Sequence, residues 1–265
     1  TKGPVRAWTK YTARKSKFLI APTPSTKKYL RHIGVTRPIS VIPTGIETAL
    51  YRGNKNNSLS KYGISQKTPT LLYVGRLAAE KNIDFLLDAF KIVIAKVPSV
   101  KLLLVGGRPD REKYQSIIDK QGYSKSVIIT GFLPREETIK IFGEADLFVF
   151  PSITDTQGIV IIEAMAAGTV PVAIDRYGPG DIIKDKLTGR LSDLDIKQFS
   201  AIILELLTDK RQRELLSHAA TYQASKFDTK ETAKFLETLY EKITISSSSR
   251  RGPQNKSSES ERLWG

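Results

Sequence analysis

The chain contains no cysteine, which excludes disulfides, thiolate metal sites and thiol nucleophiles and is compatible with a reducing compartment. Only 2 histidines occur, His32 and His218. They lie far apart without ligand-like spacing, so no histidine-based metal site is expected. No apolar run approaches the roughly 20 residues that a membrane-spanning helix needs, and no secretory signal opens the sequence. The expectation is a cytoplasmic protein, with peripheral contact at the cytoplasmic face of a membrane left open. Acid is missing from one end: residues 1–46 hold ten Lys or Arg and no Asp or Glu.

Those ten cations (Lys2, Arg6, Lys10, Arg14, Lys15, Lys17, Lys27, Lys28, Arg31, Arg37) interleave with Trp8, Tyr11, Phe18, Leu19 and Ile20, in a chain of net charge +15. A solvated basic face is the plainest reading, because charge runs usually keep a protein soluble. Attraction to anionic lipid headgroups comes second, at about 1 kcal/mol per cation near the surface. Nucleic acid comes last, since no RRM, KH, zinc-finger or helix-turn-helix pattern accompanies the charge.

What is present points to alternating strands and helices. With 265 residues and 40% hydrophobic content, the chain suffices for one good core or two small domains. Residues 1–17 read as a basic amphipathic helix, 18–22 as a short strand, 26–33 as a helix and 39–42 as a strand ending in a Pro/Gly loop. The polar stretch 52–66 reads as a surface connection. Strands are expected near 70–75, 100–105, 126–130, 146–150, 170–174 and 188–191, then helices near 195–208, 210–225 and 228–243. This is α/β architecture with a parallel sheet flanked by helices. The tail 246–265 has no apolar periodicity and reads as disordered.

Two constellations carry chemistry. Leu71-Leu72-Tyr73-Val74 is a strand buried on both faces, leading into Gly75-Arg76 and on to Glu80-Lys81 at the start of a helix. Arg76 and Lys81 then stand at the carboxyl edge of the sheet, where ligands bind, and two fixed cations there suit a diphosphate. The second constellation follows the strand at 146–150: Thr154-Asp155-Thr156-Gln157-Gly158-Ile159-Val160, then Glu163 inside an apolar helix. The helix start offers backbone amides and partial positive charge to a phosphate, with Gly158 permitting close approach. Glu163 needs partners in such surroundings, and ribose hydroxyls are favoured over a structural salt bridge. Gly131-Phe132-Leu133 reads equally as a ligand loop or a plain turn with a core Phe. Gly106-Gly107 lacks the rest of a dinucleotide fingerprint and reads as a turn. Asp193-Leu194-Asp195 reads as a helix cap.

Asp155 and Glu163, eight positions apart, resemble the acidic Glu-x7-Glu pair of the family 4 retaining glycosyltransferases with the GT-B fold, with Asp in the first place. Gly75-Arg76 and Glu80-Lys81 resemble that family's Gly-Arg…Glu-Lys signature, and Gly131-Phe132-Leu133 resembles its base-binding loop. The resemblance covers about residues 18–243. It implies a Rossmann-like sheet forming the C-terminal half of a GT-B enzyme, with remnants of the N-terminal domain. The implied organisation is 1–46 as the end of the acceptor domain and interdomain passage, 47–245 as the nucleotide-sugar domain, and 246–265 as the tail. It further implies catalytic roles for Arg76, Lys81 and Asp155. Gly75, Phe132, Leu133, Thr156, Gln157, Gly158, Ile159, Val160 and Glu163 would bind the donor. No cofactor and no metal ligand are implied; the nucleotide-sugar is a substrate.

The run Thr-Asp-Thr-Gln-Gly resembles most the bacterial glucosyltransferases acting on diacylglycerol. That implies UDP-glucose as donor and a lipid acceptor at an anionic membrane surface. Because only the last elements of an N-terminal domain are present, the rest of that domain is an expected partner. The chain is then the C-terminal half of a longer enzyme or a shortened relative. A family member with another sugar or a phosphoinositol, sulfolipid or polysaccharide acceptor, and a noncatalytic nucleotide-sugar-binding fragment, stand as alternatives.

Overall fold

In the computed structural model, which describes residues 2–53 and 57–248, the cation-rich stretch forms helix α1 (Lys2–Lys15), strand β1 (Leu19–Ala21), helix α2 (Pro24–His32) and strand β2 (Ile39–Val41). Helix α2 begins two residues before its expected start. Pro24 suits the first turn, where its missing N–H is no loss, and the Thr23 side chain accepts the Thr26 N–H at 3.2 Å. The parallel β1–β2 pair lies with Ala13, Ile33, Val35 and Ile39 in a small core. Two of the cations serve the backbone here. Arg31 donates to the carbonyls of Val35 and Arg37, each at 2.8 Å, and Arg37 donates to the Arg14 carbonyl at 2.9 Å. Trp8 and Tyr11 remain exposed on α1, their ring centroids 6.1 Å apart.

The second unit, Glu47–Ser225, is built on strands β3 (Thr70–Val74), β4 (Lys101–Val105), β5 (Val127–Gly131), β6 (Leu147–Phe150), β7 (Val170–Ile174) and β8 (Arg190–Ser192). All pairings are parallel, in the order β5-β4-β3-β6-β7-β8. Leu71, Leu72, Leu102 to Leu104, Leu147 to Val149 and Val172 to Ile174 are fully buried. This is why these strands read as continuous apolar runs rather than alternating ones. Each large side chain so buried contributes about 1.5–3 kcal/mol. The crossovers carry α3 (Ile83–Lys96), α4 (Arg111–Lys120), α5 (Arg135–Phe142), α6 (Ile159–Ala166) and α7 (Tyr177–Ile182), followed by α8 (Ile196–Thr208) and α9 (Lys210–Ser225). Helix α3 packs on α8, and α6 on α9. Asp195 caps α8 by accepting the Gln198 N–H at 2.9 Å.

Three expectations are revised. The stretch 52–66 is more than a surface connection. Short 3₁₀ turns at Thr48–Tyr51 and Ser58–Tyr62 bury Tyr51 and Leu59, and Ile64, just past the second turn, is buried as well. Glu144 holds the second turn by accepting the N–H groups of Ser58 and Leu59 at 2.8 and 3.0 Å. The apolar residues Leu59 and Ile64 are five apart, which matches neither a strand nor a helix period, so the burial left no pattern to read.

The second unit also stops at Ser225 rather than 245, because α10 (Thr229–Ser248) groups with the N-terminal segment. Ile46 donates to the Phe227 carbonyl and accepts from Thr229 N–H, each at 2.9 Å. Gly45 offers no Cβ where the Thr229 backbone and the Thr232 side chain approach. Finally, α10 continues to Ser248, past the expected start of the tail at 246; the remainder of that tail lies outside the described residues.

Candidate active site

The order β5-β4-β3-β6-β7-β8 reverses direction between β3 and β6. A crevice opens at such a switch point beyond the carboxyl ends of the strands, because the crossovers on either side run to opposite directions along the sheet. The loop after β3 carries Gly75, Arg76 and Lys81; the loop after β6 carries Asp155 to Gly158. The two motifs, some 75 positions apart, therefore converge.

They meet in an ion pair. Lys81 Nζ lies 2.5 Å from Asp155 Oδ2, with side chains only 16% and 23% exposed. Thr154 Oγ1 donates to the Glu80 carbonyl at 3.2 Å, and Asn82 Nδ2 to the Pro151 carbonyl at 3.3 Å. Three contacts thus tie the two loops. An ammonium carries three N–H donors and this pair uses one. Arg76 behaves differently: 68% exposed, it pairs with Glu80 at 2.8 Å.

Beside Arg76 lies a cleft of about 850 Å³. Its floor is a row of glycines at the ends of β3, β4 and β5. Gly75 N–H bonds to the Val105 carbonyl, and Gly106 N–H to the Gly131 carbonyl, each at 2.9 Å. Gly106, at φ +136°, has no room for a side chain, since a Cβ would collide with the Gly75 carbonyl. Gly75, Arg76, Phe132 and Leu133, all singled out from the sequence, line this cleft. Phe132 is 92% exposed, so of its two sequence readings the core Phe is excluded. Also lining the cleft are Gly106, Gly107, Arg108 and Arg111, which the sequence reading passed over as a turn and its surroundings. Their one signal was an arginine pair just after a strand exit, as Arg76 follows Gly75.

Helix α6 starts from Gly158 in the left-handed region, φ +74°, a conformation glycine adopts without penalty. The loop before it is braced by α7. Gly178 N–H donates to the Asp155 carbonyl at 3.1 Å, and Gly178 sits so close to the Gln157 backbone that a Cβ would meet it at 2.6 Å. Thr156, Gln157, Gly158, Ile159 and Val160 are thus held in sequence around the helix start. None of them lines the 850 Å³ cleft, nor do Lys81, Asp155 and Glu163.

Glu163, one turn into α6, has found a partner that the sequence reading missed. Tyr51 Oη donates to Glu163 Oε1 at 2.5 Å. Tyr51 is 1% exposed, and its ring meets Phe142 edge-on with centroids 6.0 Å apart. Burial pushes the Glu163 carboxyl above its usual range, opposed by the Tyr51 hydrogen bond and by the positive charge of Arg135. Among the described residues no cluster of His, Asp or Glu has the makings of a metal site, and no helix is long and apolar enough to cross a membrane.

A parallel sheet with this strand order, and cations, glycines and a helix start gathered at its switch point, defines a Rossmann-like nucleotide-binding domain. The chain belongs to the family described as Glycosyl transferases group 1, whose match covers residues 54–223. It is 32% identical over 179 residues to the alpha-monoglucosyldiacylglycerol synthase of Streptococcus pneumoniae (strain ATCC BAA-255 / R6), covering 65% of this chain and 41% of that protein. It is 30% identical over 164 residues to the sulfoquinovosyl transferase SQD2 of Arabidopsis thaliana, covering 60% of this chain and 31% of that protein. The chain therefore spans less than half the length of these relatives. In fold it is similar to Anabaena Alr3699/HepE, whose crystal structure is a complex with UDP and glucose. The TM-score is 0.81 at 21% identity, covering 91% of this chain and 68% of that one. The α/β GT-B architecture implied by the motifs is thus the fold observed.

Proposed function

We propose that this chain is the donor-binding part of a retaining glycosyltransferase that moves a hexose, glucose before others, from a UDP-sugar to a membrane lipid such as diacylglycerol. The observation that carries the reading is the convergence of Lys81 and Asp155 at the switch point, beside a cleft bordered by Arg76, Arg108 and Arg111. Three arginines and a lysine around one edge match the charge of a nucleoside diphosphate. In the reaction, an acceptor hydroxyl oxygen bonds to the anomeric carbon while the bond from that carbon to the diphosphate oxygen breaks. The diphosphate leaves with the electron pair, and the proton of the acceptor hydroxyl passes to the departing phosphate oxygen.

Arg76, Lys81 and the amides at the start of α6 stabilise the charge that grows on the leaving group, an electrostatic contribution of several kcal/mol per donor. Asp155 orients the sugar and Glu163 receives the ribose hydroxyls. Gly75, Phe132 and Leu133 border the base, and Thr156 to Val160 supply backbone donors. The reading assigns no cofactor. UDP and glucose are supported by the bound molecules of the structurally similar Anabaena protein. Diacylglycerol is supported by the name of the pneumococcal relative and by the basic, aromatic-bearing α1. A lipid acceptor places the protein at the cytoplasmic face of a membrane, with the remainder of an N-terminal domain supplying the acceptor site.

Calorimetry of the chain with UDP, UDP-glucose and GDP-mannose tests the donor site; no heat from a folded sample with any of them removes it. Transfer to diacylglycerol is expected only when the N-terminal domain is supplied, and is expected to survive EDTA. Strict metal dependence would overturn the role given to Arg76 and Lys81. A second reading is a noncatalytic nucleotide-sugar-binding protein. Donor binding with no transfer even in the presence of that domain would favour it.

A further inference from the structure

A carboxylate that receives two vicinal hydroxyls must present its oxygens in a set plane, and a side chain with three rotatable bonds does not hold that plane unaided. Glu163 is held by Tyr51, from 112 positions earlier in the chain. The phenol reaches it from the 3₁₀ turn Thr48–Tyr51, which packs on both α5 and α6. Burial and the ring contact with Phe142 leave the Tyr51 side chain no room to swing away. The bond engages Oε1 of Glu163, and a carboxylate has roughly four lone-pair sites over its two oxygens.

We propose that Tyr51 is a positioning residue of the nucleotide site: by clamping Oε1 of Glu163 it fixes the carboxylate so that its remaining lone pairs receive the hydroxyls of a ribose. This rests on the reading of Glu163 as the ribose partner. The electrostatics agree with it. Burial, followed by the bond to Glu163, drives the Tyr51 hydroxyl well above the ordinary phenol range, so it stays a donor at every physiological pH. The same bond works against the burial that raises Glu163, keeping the acceptor ionised to lower pH than the site would otherwise allow.

The test is calorimetric titration of the 265-residue chain with UDP, GDP and ADP, and then with the 2′-deoxy form of whichever binds. The wild-type chain should prefer the ribonucleotide by about tenfold, the scale of one hydrogen bond to a charged group. Tyr51→Phe should lose most of that preference while binding the deoxynucleotide within about twofold of wild type. The acid limb of ribonucleotide binding should move to higher pH. In a Glu163→Ala background Tyr51→Phe should change nothing further. Replacing Tyr51 by 3-fluorotyrosine keeps the packing and strengthens the donor, so the acid limb should move to lower pH; this arm decides the matter if Tyr51→Phe does not fold. If Tyr51→Phe keeps the ribose preference that Glu163→Ala loses, or fluorination leaves the limb in place, the positioning role is wrong and the ribose reading stands. If Glu163→Ala keeps the preference, or a folded wild-type chain binds no nucleotide, both are wrong.

Discussion

Removing the Lys81 ammonium should separate two ion pairs that look alike on paper. Lys81–Asp155 and Arg76–Glu80 both lie at the same sheet edge, at 2.5 and 2.8 Å. For unit charges 2.5 Å apart, Coulomb's law gives about 1.7 kcal/mol in water and about 6.6 kcal/mol at an effective dielectric constant near 20. At 16% and 23% exposure the Lys81 pair lies between these limits, and its lost hydration offsets part of the gain. A coupling of about 1–3 kcal/mol is expected. Arg76 and Glu80, 68% and 42% exposed, should couple by at most about 1 kcal/mol.

The assay is a double-mutant cycle by urea unfolding, with Lys81→Met and Asp155→Asn, alongside Arg76→Met and Glu80→Gln. Each is run at low salt and at about 0.5 M salt, where the Debye length falls to roughly 4 Å. The Lys81 coupling should largely survive the salt and the Arg76 coupling should vanish. A Lys81–Asp155 coupling below about 0.5 kcal/mol, or one lost in salt as fast as the other, would refute the claim that the switch point holds a sheltered charge pair.

The glycine row makes its own prediction. Gly106→Ala should destabilise the fold by about 2 kcal/mol or more in denaturant unfolding, because the new Cβ would strike the Gly75 carbonyl. Phe132→Ser, at an exposed position, should leave the unfolding free energy within about 0.5 kcal/mol of wild type but weaken UDP more than pyrophosphate in calorimetry. Glu163 carries a raised pKa, so the folded state binds more protons than the unfolded chain between the ordinary and raised values, and stability falls as pH rises through that window. Glu163→Gln should therefore raise the urea midpoint at pH 7 and flatten its pH dependence, while UDP binding weakens. Reversing Arg14, Lys15 and Lys17 to Glu should reduce sedimentation with phosphatidylglycerol vesicles at low salt and leave nucleotide binding unchanged. Equal binding to phosphatidylcholine would count against the lipid surface.

The sequence by itself settled the strands of the sheet and the places where ligand-binding groups leave it. Strands buried on both faces must be apolar without interruption, so Leu71 to Val74 and Leu147 to Phe150 announce themselves. A glycine or a cation directly after such a run marks the exit. Glu163 stood out because a lone carboxylate in an apolar helix demands a partner. What that partner is could not be read along the chain. Tyr51 is 112 positions away and Lys81 lies 74 from Asp155, and neither pairing leaves any local period or propensity. The same holds for the meeting of Gly106 with Gly75 and Gly131, which exists only once β3, β4 and β5 lie side by side, and for α10, which groups with residues up to Ile46. Local physics decides whether a segment is a strand or a helix. Which strand ends adjoin, and so which side chains meet, is decided by the packing order of the whole sheet.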